Sequence, residues 1–344
     1  MDILIKSAEL YHRVITHINK GDTNMKKKIK AFFKWLFIIL ATVLILMTSW
    51  NQILCAIDRS KAKDKFNGTC VTVDGKQMQV TILGEENDIA IVFLPGLGGV
   101  SSAIDYEPFT KELAKDYKVI IPEPFGYGLS DDADTDRVIS NIVEELHTGV
   151  QQLGVEEYYL MAHSWGGAYS LLWANEYPDE VQGFIGIDPS VPGQEEFKMG
   201  PFSLTTANKM TMTFYKIRSF IGVDRIESIL SGDTPVEDDT YTQEELELFE
   251  YLYLNRFVNS NILGEAYLMD KSFDTIRGMT IPDSVPVLNL VATQTSEQMP
   301  GWVDLHEEMQ GNNPDTVMVM IEGSHNLTSS NPDAVLTEIH NWIR

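Results

Sequence analysis

The sequence predicts an α/β fold: a mostly parallel, doubly wound sheet with a helical lid insertion, preceded by one N-terminal transmembrane helix. Three observations carry this. Short apolar β-rich runs alternate with helical patterns through most of the body, which implies crossover connections and a sheet covered on both faces. About ninety residues near 191–282 break that alternation with a Met-, Phe-, Tyr- and Leu-rich stretch of helical character. Before the body lies an uncharged apolar run flanked by lysines.

The charge is distributed in three blocks. Of the chain's net −24, residues 1–34 hold +5 (eight Lys and Arg, three Asp and Glu) and residues 35–57 hold none, leaving −29 for residues 58–344. A basic head, an apolar segment and an acidic body make the charge plan of a membrane-tethered protein. As a helix, "WLFIILATVLILMTSWNQILCAI" (35–57) would span about 35 Å, enough to cross a bilayer. Lys26, Lys27, Lys28, Lys30 and Lys34 are expected on the cytoplasmic side, which puts the body outside the cell, a single-pass placement at the cell membrane. A cleaved signal peptide and a buried core helix are the competing readings. The segment's length, its flanking lysines and its lack of a small-x-small site favour an uncleaved signal anchor. "MKKKIK" at Met25 resembles a signal-sequence start, so Met1 and Met25 are both candidate starts.

The acidic balance excludes a nucleic-acid partner, which needs a basic face. Cys55 and Cys70 make no disulfide framework, and no Cys/His set has metal-ligand spacing, so neither a metal nor an organic cofactor is implied.

The body's elements follow in order after a polar linker, 58–67. "GTCVTVDGKQMQVTILG" reads as a hairpin turning at Asp74-Gly75. "DIAIVFLPGLGG" and "YKVIIPEPFGYGLS" are buried strands opening into Gly/Pro-rich loops. Helices are expected at about 108–115 and 136–153. Strand "EEYYLMAHS" then runs into helix "GGAYSLLWANEYP", followed by strand "VQGFIGIDPS". The insertion is too long for a plain connection and is expected to form a lid. Its acidic residues, Glu237, Asp238, Asp239, Glu244 and Glu245, are expected on a solvated face. After it come strand "SVPVLNLVATQ", a loop, a helix near 302–309, strand "TVMVMIEG" and an amphipathic helix at 332–343.

Ser164 stands where a strand turns sharply into a helix, with small residues around it. That placement exposes a hydroxyl above a sheet, beside the amides that open the helix, as a nucleophile requires. From residue 69 to 343 the ordered motifs resemble the α/β-hydrolase family. "FLPGLGG" is similar to the family's oxyanion loop, with Pro95 where a histidine is common, and "IIPEPFGYGLS" to the loop after its fourth strand, with Glu123 for a frequent aspartate. "MAHSWGG" is similar to the nucleophile elbow, with Ala162 for its first glycine. "IEGSHNLTSSNPDAV" resembles the motif that carries the family's histidine.

The resemblance implies Ser164 as nucleophile, His325 as base, and the Leu97 and Trp165 N–H groups as the oxyanion hole. The acid is Asp188, at a strand's C-terminal end, with Glu297 in "QTSEQMPGW" as the alternative; the order Ser164, Asp188, His325 fits the family. The implied activity is cleavage of a small-molecule carboxylic ester. "HSWGG" also resembles the proline-iminopeptidase branch, where acidic lid residues bind an amine, so a short peptide substrate is the enzymatic alternative. A non-catalytic binding module on the same fold is the third reading.

Overall fold

The computed structural model describes residues 2–62, 68–231 and 241–343, with side chains described for 24–58 and from residue 68 onward within those ranges. The end of the expected linker (63–67) and Glu237, Asp238 and Asp239 lie outside the described residues. The chain forms two compact units, Met1–Leu54 and Cys55–Arg344.

Helix α1 runs over Asp2–Ala62, through the whole first unit. Between residues 22 and 62 there is neither glycine nor proline, so nothing interrupts the i→i−4 ladder. The segment Asn24–Asp58 is long and apolar enough to cross a membrane, and no residue of its most apolar window is buried. Inside it the Thr42 hydroxyl donates to the Ile38 carbonyl at 2.8 Å, so the side chain carries its own partner. The helix continues past Asp58, where the sequence suggested a linker, because "DRSKA" contains no breaker.

The second unit opens with β1 (Thr69–Val73) and β2 (Lys76–Leu83), paired Val73 to Lys76. Asp74 and Gly75 between them both have positive φ, 51° and 78°, as a tight hairpin turn requires. There follow β3 (Ala90–Leu94), α2 (Ser102–Asp105), α3 (Glu107–Leu113), β4 (Lys118–Pro122), α4 (Ile139–Gln151), β5 (Tyr158–His163), α5 (Gly166–Glu176) and β6 (Val181–Ile187). The insertion holds a short hairpin, β7 (Lys198–Met199) with β8 (Phe202–Ser203), then α6 (Leu204–Ile221), α7 (Val223–Ser231), α8 (Gln243–Arg256), α9 (Ser260–Tyr267) and α10 (Met269–Ile276). The fold closes with β9 (Val287–Ala292), α11 (Thr293–Gln298), α12 (Trp302–Gln310), β10 (Thr316–Ile321), α13 (Leu327–Ser330) and α14 (Pro332–Trp342).

Two local departures from the sequence reading have simple causes. The insertion is not α-helical from its start, because Pro192, Gly193, Gly200 and Pro201 leave room only for a 3-10 turn at Gln194–Glu196 and the short hairpin before Ser203 caps α6 through the Thr206 N–H. The loop expected after β9 contains α11, which ends where Met299-Pro300-Gly301 stops it.

Eight strands form one sheet in the order β1-β2-β4-β3-β5-β6-β9-β10. β1–β2 and β2–β4 are antiparallel and the other pairs parallel. β3 shows why the sheet is covered twice. All five of its residues are buried; Val92 and Leu94 join a core with Leu146 of α4 and Leu171 of α5, while Ile91 and Phe93 join a second core with Phe109 of α3 and Ile339 of α14.

The register fixes what happens at the sheet's C-terminal edge. His163 pairs with Ile187, so the residues after them, Ser164 and Asp188, leave adjacent strands side by side. The order also reverses around β3, so the loops after β3 and β5 part there and leave a crevice, where ligands of such sheets bind.

Helix α5 approaches β3 at its first residue. A Cβ on Gly166 would lie 2.3 Å from the Leu94 carbonyl oxygen and 2.8 Å from that of Pro95, and neither backbone group can yield. We expect Gly166→Ala to cost about 1–3 kcal/mol, as overpacking does, read as a lower denaturant midpoint of the purified chain. An unchanged midpoint would show that the helix shifts freely.

Candidate active site

Ser164 has φ 52°, an unusual left-handed conformation for a residue with a side chain. Its carbonyl accepts from the Ser190 N–H at 2.6 Å and the Gly167 N–H at 2.8 Å, which holds the strained turn closed. The space inside is tight: a Cβ on Gly167 would fall 2.4 Å from the Pro189 side chain. Ala162, where the motif commonly has glycine, is fully buried within the first core, so its methyl is accommodated there.

From this turn a chain of polar contacts runs inward. His325 Nε2 lies 2.9 Å from Ser164 Oγ, and His325 Nδ1 lies 2.6 Å from Asp188 Oδ2. Asp188 also sits in a left-handed turn, φ 44°, and has no exposed surface. Its Oδ1 accepts from the Ala292 N–H at 3.0 Å and the Trp302 indole N–H at 2.9 Å; its Oδ2 accepts also from the Thr295 hydroxyl at 2.6 Å. Burial alone would raise this carboxyl. The hydrogen bond and electrostatic attraction of His325, with the Thr295 and Trp302 donors, outweigh burial and hold Asp188 below the usual carboxylate range. An ionised Asp188 only accepts, so His325 carries its proton on Nδ1 and offers Nε2 as acceptor to the serine hydroxyl.

Glu297 is placed elsewhere. It is exposed on α11, and His325 faces Asp188 instead. Thr295, two residues earlier on that helix, turns inward and donates to Asp188.

His163, beside the serine, is buried. Its Nε2 meets the His325 carbonyl at 3.0 Å, so that nitrogen donates, and its Nδ1 accepts from the Tyr106 hydroxyl at 2.8 Å. Burial, with the neighbouring His325, lowers its pKa to about 4, so the ring is neutral near pH 7. Tyr106 in turn accepts from the Gly96 N–H at 3.4 Å, and Tyr127 accepts from the Gly98 N–H at 3.4 Å. The amides on both sides of Leu97 are therefore held. Among the described residues no hydrogen bond occupies the N–H of Leu97 or of Trp165. Glu123 stabilises the next stretch of the same loop: it accepts from the Ser102 and Ala103 N–H groups and from the hydroxyls of Ser101 and Ser102.

Ser164, His325, Leu97 and Trp165 all line one cavity of about 450 Å³. Four methionines line it too, Met199, Met212, Met269 and Met299, with amides from Gln194, Asn208, Gln294 and Gln298. Among the described residues its lining contains no Asp, Glu, Lys or Arg. The arrangement can move a proton off a hydroxyl, hold the resulting imidazolium against a buried carboxylate, and offer two amide donors to an oxyanion.

Tyr106, His163, Thr295 and Trp302 are supports that sequence reading passed over. His163, Thr295 and Trp302 lie inside quoted motifs, the first next to the serine and the other two in the stretch that holds the alternative acid. Tyr106 gave no local signal.

A polypeptide with this sheet order, elbow and inward polar chain is of α/β-hydrolase type. The family model described as alpha/beta hydrolase fold matches residues 89–332, and the chain belongs to that family. It is similar to the uncharacterized protein YbdG of Bacillus subtilis, 26% identical over 238 residues, covering 69% of this chain and 72% of that protein. A cis-3-alkyl-4-alkyloxetan-2-one decarboxylase of Shewanella oneidensis is 25% identical over 141 residues, covering 37% of this chain and 44% of the relative. In structure it resembles Cfl2 from Burkholderia cenocepacia (TM-score 0.62, 18% identity, 80% of this chain and 95% of the other). An epoxide hydrolase variant from Vigna radiata is similar as well (TM-score 0.58, 17% identity, 80% and 98%). At these identities the two structures speak for the fold alone.

The lowered pKa of His163 has a consequence for stability. The unfolded chain takes up a proton near the ordinary value of 6.5, the folded chain only near 4. The stability this group contributes is present above 6.5 and lost as pH falls toward 4, on the order of 3 kcal/mol in all. We expect His163→Gln to lose less stability than the native chain between pH 6.5 and 4 in denaturant titrations. Parallel pH profiles would contradict the neutral assignment.

Proposed function

We propose that this hydrolase is a membrane-anchored serine esterase with its catalytic body outside the cell. Ser164 attacks the carbonyl carbon of a carboxylic ester, and His325 takes the serine proton and passes it to the leaving alcohol. Asp188 fixes the His325 tautomer and stabilises the imidazolium. The Leu97 and Trp165 amides hold the oxyanion, and a water activated by His325 releases the acyl group. The observation that carries the reading is the unbroken contact from Ser164 through His325 to the buried Asp188, opening into a cavity.

The cavity's chemistry favours an ester over a peptide with a free amine. An ammonium group entering this site would meet methionines and neutral amides, with no carboxylate among the described lining residues to pair with it. Epoxide opening, the reaction for which the Vigna radiata neighbour is named, fits the serine poorly. Attack by a hydroxyl would leave an ether, which an activated water does not cleave, whereas an acyl-serine is readily hydrolysed. A binding module would have no need of an ionised carboxylate buried behind a histidine.

The anchor reading rests on the apolar span of α1 and on the basic residues before it, which favour a cytoplasmic N-terminus. The helical insertion acts as a lid in this reading: Leu204, Asn208 and Met212 of α6 and Met269 of α10 line the cavity.

The test is fluorophosphonate labelling of the detergent-solubilised chain, with the modified peptide mapped by mass spectrometry. Label is expected on Ser164, lost in Ser164→Ala and His325→Ala, and slowed by roughly 10³–10⁴-fold in Asp188→Asn. Glu297→Gln should label like the native chain. A folded protein that takes no label would favour the binding module. On one preparation, acyl esters should turn over and prolyl amides should not; the reverse would favour the peptidase.

A further inference from the structure

Helix α6 presents apolar residues on two faces. Leu204 and Met212, with the amide of Asn208, line the cavity, while Met210, Phe214, Ile217 and Phe220 form a stripe on its other side, each more than half exposed. A surface helix ordinarily turns polar side chains to water, and α6 does the reverse. The apolar surface extends beyond the helix, since Ile229 and Leu230 of α7 are exposed as well. Exposed apolar surface of this kind marks an interaction site.

Two observations indicate its occupant. Arg225 of α7 is ion-paired at 2.9 Å with Asp58, the residue at which the apolar span Asn24–Asp58 ends. The insertion is thereby tied to the point where the chain would leave a membrane. The second observation is charge. Residues 204–231 carry Lys209, Lys216, Arg218 and Arg225 against Asp224 and Glu227, a net of +2 in a body of −29. An acidic domain held near an anionic lipid surface is repelled least through such a segment.

We infer that the outer face of α6, continued by the end of α7, docks on the phospholipid bilayer that the α1 span enters. This rests on reading α1 as a membrane anchor. Docking seats the roof of the cavity on lipid, so the favoured substrates are long-chain esters dissolved in the bilayer. Apolar side chains enter the boundary between headgroups and acyl chains, as in other interfacial helices.

The test uses the full-length chain reconstituted in vesicles of phosphatidylcholine with phosphatidylglycerol, which gives the surface its negative charge. An environment-sensitive fluorophore is attached at Phe214→Cys in a Cys55→Ser, Cys70→Ser background, and quenched by lipids spin-labelled on the acyl chain. The comparison probe sits on native Cys70, exposed on β1, in the Cys55→Ser chain. Quenching several-fold stronger at position 214 is expected; equal quenching in protein that floats with the vesicles overturns the docking alone. Protein that does not float overturns the anchor reading and the docking with it. The quenching needs no turnover, so it is decided separately from the esterase reading. In activity, Phe214→Gln with Ile217→Gln should lower hydrolysis of a vesicle-borne long-chain ester about tenfold and leave a water-soluble butyrate ester unchanged. Equal loss on both substrates, or loss on neither, overturns the inference.

Discussion

Asp188 is a carboxylate with no exposed surface, and the site is organised around keeping it ionised. Burying such a charge unpaired would cost several kcal/mol, so every lone-pair direction needs a donor. The donors come from four places in the chain: the Ala292 amide at the end of β9, Thr295 on α11, Trp302 on α12 and His325 after β10. The carboxylate therefore ties together the C-terminal third of the body. Its position follows in turn from strand register, because Asp188 continues β6 beside the strand that delivers Ser164.

The left-handed turns at Ser164 and Asp188 belong to the same design. Each costs of order 1–3 kcal/mol in backbone strain and persists only where the surroundings over-determine it. At Ser164 this comes from two hydrogen bonds to its carbonyl and from glycines that let α5 press against β3. At Asp188 it comes from the donors just named and from its own N–H, which donates to the Leu290 carbonyl at 2.7 Å. Tyr106 and His163 extend the constraint sideways, so the His325 backbone and the loop before Leu97 are held by one short relay. Rigid placement of this kind is what lets weak groups act together on a developing charge.

The insertion contributes differently. It supplies neutral, adaptable lining, with methionines that fit more than one apolar shape and amides that hydrogen-bond without charge. A buried carboxylate on α9, Glu265, anchors it to the body by accepting from the hydroxyls of Tyr127 and Tyr169. Tyr127 also holds the Gly98 N–H, so the insertion and the loop that carries Leu97 share a partner.

Much of this was legible in the residues themselves. The strand and helix alternation, the Asp74-Gly75 turn, the long apolar run and the serine at a strand-to-helix turn are local patterns, and local sterics and solvation determine them. The choice between Asp188 and Glu297 was not of that kind. Both carboxylates follow strands, and each stands in a plausible loop. What separates them is the pairing of β6 with β5 and β9, and the folding of "TQTSEQ" into a helix that turns Thr295 inward and Glu297 to solvent. The outward apolar face of α6 was hidden for a similar reason. Its sequence shows apolar residues almost all around, and only packing decides which of them line a cavity and which face outward. Propensity and periodicity act within a few residues, so they determined the elements. Register and packing join residues more than a hundred positions apart, and they alone decided which side chains meet at the site.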